Sequence, residues 1–424
     1  MATGQFPQVE ALARQADQAM QTGRMDEAAR LWGQVRQLAP RHPGALMFLG
    51  QHALHRGDTT GARLLLEQAA EADPNNPVIV LNLSAAYRAT NDPRELLALD
   101  RALAIDPYFF PALLAKGMFF DRAGNAREAA RVFRDVLTIA PAVPDDWMKQ
   151  PLARARAVVD ENIVAVTRFL DARLAEGRAK FAGADLRRFE EAKGIMTGAK
   201  KAFVQQPTLL NFPQLPPIQF YDRKDFPWLA EVEAATDTIR EEFLALWRED
   251  AKEFAAYVNH PDGVPLNQWT ELNRSPRWSV FFLWGNGVRN DAHCARVPKT
   301  AALLDKVPMA TVPGAAPAAF FSTLQPRTLI PPHTGVTNTR LIVHIPLVVP
   351  PGCWFRVGND TREWEPGTAL IFDDTIEHEA WNGGDRMRAV LIFDIWNPYL
   401  TDAERAMTCE LLAGYEAYYG PIST

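Results

Sequence analysis

The chain has 424 residues, more than one hydrophobic core usually serves, so two domains are expected. With 47% hydrophobic and 23% charged residues its composition is that of an ordinary globular protein, and a net charge of −6 gives no general reason to expect nucleic-acid binding. No apolar run approaches the roughly 20 residues of a membrane span.

The N-terminus, Met1-Ala2-Thr3-Gly4-Gln5-Phe6-Pro7, lacks a basic start followed by an apolar core, so no signal peptide is expected. The three cysteines (Cys294, Cys353 and Cys409) lie far apart, with no Cys-x-x-Cys zinc pattern. A reducing cytoplasm is the expected setting.

The first third repeats itself. Pro40, Pro74, Pro107 and Pro141 are spaced 34, 33 and 34 residues apart, each after an apolar helical stripe such as Leu64-Leu65-Leu66 with Ala69-Ala70. About seventeen residues before each proline stands Gly23, Gly57, Asn91 or Gly124, and Ala28, Ala62 and Ala129 lie where paired helices would touch. This helix-turn-helix unit resembles the tetratricopeptide repeat, which predicts an all-α solenoid over residues 1–142. Its concave face would hold a partner peptide or protein, or the array would brace its neighbour or join subunits. Residues 143–205 read as a more polar helical linker, with Arg187 to Lys193 as a solvated helix face. The prolines at 207, 213, 216 and 217 put the domain boundary near residue 205.

Over residues 206–424 the pattern changes. Leu229 to Ala251 reads as a helix, Trp278 to Trp284 as a strand, Pro298 to Leu304 as a short helix and Ala318 to Leu324 as another strand. Alternation at Leu341, Val343, Ile345 and Leu347, then turns at Pro350-Pro351-Gly352 and Glu365-Pro366-Gly367, add further short strands. Seven or eight strands suffice for an all-β jelly roll, a double-stranded β-helix with flanking helices. His333-Thr334-Gly335 and His378 sit on this scaffold, and Arg388 opens the apolar run Ala389 to Phe393. A charge on a buried strand needs a partner, and a bound anion would supply it. Arg386, two residues earlier, is the competing choice.

The stretch from about Phe212 to Thr401 resembles the aspartyl/asparaginyl β-hydroxylase family of iron(II)- and 2-oxoglutarate-dependent oxygenases. The resemblance is carried by Phe226-Pro227-Trp228-Leu229, Pro298-Lys299-Thr300, Pro331-Pro332-His333-Thr334-Gly335, Arg340-Leu341, Trp364-Glu365-Pro366-Gly367, Phe372-Asp373-Asp374, His378-Glu379 and Asp394-Ile395-Trp396-Asn397-Pro398. Animal enzymes of the family also carry tetratricopeptide-type repeats ahead of the oxygenase domain. The resemblance implies that His333 and His378 ligate iron(II) and that Arg388, assisted by Ser322, binds the far carboxylate of 2-oxoglutarate. It puts His344 near the other end of that co-substrate. Most enzymes of this mechanism add a carboxylate two residues after the first histidine; here that position is Gly335, and the family itself shows His-x-Gly. Asp373 and Asp374 are therefore expected to orient the site or cap a turn. Where the family carries a second arginine this chain has Ile342, which leaves Arg340 as the lone basic residue for an acidic target.

The function these residues imply is β-hydroxylation of an Asp or Asn residue in a peptide or protein. A small amino-acid or lipid-linked substrate is the enzymatic alternative. A non-catalytic, repeat-based interaction protein and a cupin-like metal isomerase, which would not require Arg388, are the readings outside the class.

Overall fold

The computed structural model describes residues 5–420; Met1–Gly4, part of the N-terminal stretch discussed with the sequence, lies outside the described residues. The chain divides into two compact units, Met1–Ala199 and Lys200–Thr424.

The first unit is all helical: α1 (Gln5–Gln21), α2 (Met25–Leu38), α3 (Pro43–His55), α4 (Thr59–Ala72), α5 (Pro77–Ala89), α6 (Glu95–Ile105), α7 (Phe110–Arg122), α8 (Ala126–Ile139), α9 (Asp146–Lys180) and α10 (Arg187–Thr197). Helices pack in successive pairs from α1–α2 to α7–α8, with α9 against α8. The four turn residues of the repeat share one conformation: Gly23, Gly57, Asn91 and Gly124 have φ of 73°, 84°, 53° and 71°, in the left-handed region that glycine and asparagine enter at least cost. The periodic prolines fall between pairs, where a missing N–H breaks no helical bond. Side chains of His42, Asp58, Asn76 and Asn125 then accept first-turn N–H groups and start the next helices. Ala28, Ala62 and Ala129 are wholly buried in the pair contacts.

Gly117 shows how tight that contact is, because a Cβ built on it would overlap the Phe133 ring. Gly117→Val should cost about 1–3 kcal/mol by overpacking the α7–α8 seam, read as a lowered urea midpoint. An unchanged midpoint would mean that α7 can slide on α8. The charged run at the start of α10 is less solvated than its sequence suggests, since Glu190 and Lys193 join Asp171 and Arg178 of α9 in ion pairs of 2.6–2.9 Å.

In the second unit, the helix expected over Leu229–Ala251 is two helices, α11 (Leu229–Ala234) and α12 (Thr236–Asp250), because Ala235 leaves helical geometry with ψ of 0°. The strands are β1 (Ala255–Ala256), β2 (Trp278–Gly285), β3 (Val288–Arg289), β4 (Ala319–Leu324), β5 (Thr328–His333), β6 (Arg340–Val348), β7 (Cys353–Val357), β8 (Asp360–Glu363), β9 (Leu370–Phe372), β10 (His378–Asn382) and β11 (Arg388–Trp396). Helices α13 (Asp291–Cys294), α14 (Pro298–Leu304) and α15 (Asp402–Tyr419) complete it. Glu242 of α12 accepts the Lys299 and Thr300 N–H groups and the Thr300 hydroxyl at 2.7–2.9 Å. The Pro298-Lys299-Thr300 motif therefore has a structural role, which is to start α14.

One sheet runs β1-β2-β4-β11-β6-β9, with β3 beside β2, and the other runs β5-β10-β7-β8. From β4 to β11 the chain winds between the two sheets in the strand order of a jelly roll. Alternation along β6 sets the layers. Leu341, Val343, Ile345 and Leu347 enter the core shared with α11, α12 and α14, while Ile342 belongs to the second core, between the sheets. Arg340 and His344 share the face of Ile342. Among the described residues no helix is long and apolar enough to cross a membrane.

Candidate functional site: a histidine pair and a buried arginine between two sheets

Strand register brings the two histidines together. His378 opens β10 directly opposite His333, the last residue of β5, and the register shifts between His378 and Ala380. Such an irregularity re-aims a side chain at the rim of a sheet. The imidazole centroids are 4.0 Å apart. Nδ1 of His333 donates to the Pro331 carbonyl at 2.8 Å, and Nδ1 of His378 to the Ile376 carbonyl at 3.1 Å. A carbonyl can only accept, so the hydrogen of each neutral ring sits on Nδ1 and Nε2 keeps a bare lone pair. Burial pushes the His333 pKa down to about 4; burial, and then the neighbouring His333, hold His378 well below the ordinary range. Both rings are therefore neutral at physiological pH, the form that binds metal. Among the described residues no third His, Cys, Asp or Glu joins them in a metal-holding group.

The position two residues after the first histidine is filled from elsewhere. A Cβ built on Gly335 would overlap the Asp374 carboxylate, and the Gly335 N–H donates to the Asp374 carbonyl at 2.7 Å. Burial, and then Asp373 beside it, raise the Asp374 pKa to about 7. Asp373 does something different: its Oδ1 accepts the Thr375 N–H and hydroxyl, and its Oδ2 the Gln205 amide, so it caps the turn leading to His378.

Arg388 is 1% exposed at the start of β11, with Nε and Nη1 buried and without a hydrogen-bond partner. Its guanidinium lies 4.7 Å above the Trp364 ring, and burial lowers its pKa to about 10, so it stays charged at neutral pH. No acidic side chain among the described residues pairs with it. Arg386, by contrast, has its side chain 76% exposed beside Asp385, outside the strand, which removes it as the buried cation. Ser322 projects between the sheets from β4 and accepts the Trp278 indole N–H at 3.1 Å. His344 is buried against Phe355 and Phe372, and its Nδ1 accepts the Trp364 indole N–H at 3.3 Å.

Arg340 is not the free cation that the sequence suggested. Its guanidinium pairs with Asp394 at 2.5 Å and donates to the Ala315 carbonyl, with only 13% of the side chain exposed. Asp394 faces Ile342 across the β6–β11 ladder, 54 residues from Arg340 in sequence. Nor did the sequence mark the aromatic wall. Trp269 and Trp278 flank His333 at 5.1 and 6.4 Å, and stacking continues through Tyr257 and Phe320 to Phe282 at the surface. Trp278 is in phase with Val280, a core residue between the sheets, and that phase was the signal available.

Two neutral imidazoles and a buried guanidinium without an acidic partner thus share the interior of the second unit, in a chain that opens with helical repeats. Comparison with known proteins finds relatives of both parts. Residues 233–398 match the family model described as aspartyl/asparaginyl beta-hydroxylase, and residues 13–77 match the tetratricopeptide repeat. The chain is 28% identical to the aspartyl/asparaginyl beta-hydroxylase of Homo sapiens, over 92% of this chain and 53% of that one. It is 35% identical to the ornithine lipid ester-linked acyl 2-hydroxylase of Rhizobium tropici, over 44% and 63%, and 32% identical to the human aspartate beta-hydroxylase domain-containing protein 2, over 48% and 53%. The chain thus spans about half the length of the full-length relatives it matches. Residues 233–398 are thus similar to the aspartyl/asparaginyl β-hydroxylase family, with a match to the tetratricopeptide repeat ahead of them.

Proposed function

We propose that the C-terminal domain is an iron(II)- and 2-oxoglutarate-dependent hydroxylase. The observation that carries this reading is Arg388, a charged guanidinium buried without a partner in the same interior as the histidine pair. Leaving such a group bare is costly, and a dicarboxylate end fits its planar fork. The donor set suits the metal as well: two neutral imidazoles with bare Nε2 atoms are ordinary ligands for iron(II). His333 and His378 would hold it, with the Pro331 and Ile376 carbonyls fixing their tautomers. When bound, iron supplies the oxygen chemistry that couples conversion of 2-oxoglutarate to succinate and carbon dioxide with hydroxylation of a substrate carbon. The chain's own part is binding and exclusion of water. Arg388, with Ser322, holds the far carboxylate, His344 stands towards the other end, and the aromatic wall shields the histidines.

The substrate in this reading is an Asp or Asn residue of a peptide or protein. Arg340 is already neutralised by Asp394, with Ile342 on the same face, so an uncharged amide suits the mouth better than a carboxylate. The same missing free cation and the aromatic wall favour an apolar chain as the second substrate class, and one similar protein is named for acyl 2-hydroxylation. The repeats would bring a protein partner to the domain, in a cytoplasmic setting where all three cysteines are free thiols.

The test is succinate formation from 2-oxoglutarate with iron(II) and oxygen, comparing the native protein with His378→Ala. Native turnover should be iron-dependent and fall at least a hundredfold in the variant, beyond the roughly ten- to hundredfold that loss of a mere outer partner of a metal ligand costs. A native protein that neither binds iron nor makes succinate would leave a repeat-based interaction protein.

A further inference from the structure

Trp364 was only a landmark in the sequence, yet it touches both His344 and Arg388. It follows β8 and is 3% exposed. Its indole N–H donates to Nδ1 of His344 at 3.3 Å, its ring lies 4.7 Å beneath the Arg388 guanidinium, and its other neighbour is Phe355, stacked at 5.3 Å and 21°. The indole nitrogen can only donate, so it settles the His344 tautomer. With Nδ1 accepting, the ring hydrogen must sit on Nε2, and the face that His344 presents elsewhere is a donor. Without the indole, a neutral histidine can equally present a bare nitrogen, which would repel a carboxylate.

We propose that Trp364 is a positioning residue for the dicarboxylate co-substrate: its N–H holds His344 as a donor for one end while its ring fixes the plane of Arg388 for the other. The proposal rests on the 2-oxoglutarate reading of the site. It adds a single residue that couples both anchors, and it makes the separation of donor and guanidinium a property of one rigid indole. Trp364 does not itself reach the reacting atoms; it acts through its two neighbours.

Trp364→Phe separates the two roles, keeping a ring beneath Arg388 and removing the N–H. Where that variant does not fold, the isosteric benzothienyl analogue of tryptophan at position 364 does the same with nearly unchanged volume. Two readouts are needed. The first is the ¹⁵N spectrum of the His344 ring in the full chain. The native protein should show a protonated Nε2 and a bare Nδ1, and the variant a redistribution of the hydrogen between them. The second is steady-state succinate formation, in which KM for 2-oxoglutarate should rise about tenfold, the usual worth of one hydrogen bond to a charged group, with kcat little changed.

An unaltered tautomer in the variant, or a native His344 protonated on Nδ1, overturns the proposal. So does a variant with native KM. A native protein whose ¹⁵N spectrum has the expected form but which shows no response to 2-oxoglutarate overturns the co-substrate reading, and the dicarboxylate ligand falls with it, while the indole–imidazole clamp survives as a feature of the core.

Discussion

Arg388→Met should leave the ligand-free protein at least as stable as the native chain and abolish its stabilisation by 2-oxoglutarate. The two halves of that result have one cause. Without ligand, the guanidinium is fully buried, lacks partners at Nε and Nη1, and has its pKa lowered by burial to about 10. That fall from the ordinary arginine value to about 10 corresponds to roughly 3 kcal/mol of destabilisation of the charged form. The sign follows from linkage: the cation is disfavoured in the fold, so the cost is fully present below pH 10, neutral pH included. Methionine fills similar volume with no charge, and replacing an unsatisfied buried ion by a hydrophobe is commonly neutral or stabilising by about 1–4 kcal/mol. With ligand the balance reverses. Removing one partner of a buried charge pair costs about 2–5 kcal/mol of binding, so apparent affinity should fall by roughly thirty-fold to several thousand-fold. Thermal melts with and without 2-oxoglutarate and iron(II) read both halves. A ligand-free variant destabilised by several kcal/mol would make Arg388 a structural residue and remove the main support for the co-substrate site.

The parts of this molecule that were legible in its sequence are those whose causes are local. Each repeat carries its own turn residue and proline, so Gly23, Gly57, Asn91 and Gly124 could be read one by one, and all four adopt the left-handed backbone that the turn requires. The Leu341-to-Leu347 alternation likewise states its own layer. The break at Ala235 was illegible because the apolar pattern of α11 runs into that of α12. Two-residue strands such as β1 and β3 leave no periodicity to detect. In the site, the histidines announced themselves by motif, but their opposition across β5 and β10 is a matter of register between strands 45 residues apart. Arg340 reads as a free cation until Asp394 arrives from β11. Arg386 and Arg388 share a phase in sequence, and only the start of β11 decides between them. Trp364 gains its role from β6 and β11, neither of them its neighbour in sequence.

Gly335→Asp gives the sharpest disagreement between motif and geometry. By motif, an aspartate two residues after His333 would complete the usual two-histidine, one-carboxylate set and tighten iron binding. By geometry it should do the reverse. The first side-chain atom at position 335 would enter space held by the Asp374 carboxylate, a buried group whose pKa burial and Asp373 have already raised to about 7. Overpacking at such a place costs about 1–3 kcal/mol, and a second carboxylate adds like-charge repulsion in a site with little water. Stability should therefore fall by about 2–4 kcal/mol, and iron(II) affinity should drop at least tenfold, as when groups around a metal site are disturbed. The control is Asp374→Gly, which empties the space. In the double variant Gly335→Asp with Asp374→Gly, at least half of the lost stability should return, a coupling above about 1 kcal/mol that independent sites would not show. If Gly335→Asp alone binds iron more tightly at no cost in stability, Asp374 yields easily and the glycine is an open ligand position. If the double variant recovers, Gly335 is room kept for the Asp374 carboxylate of the β9–β10 turn.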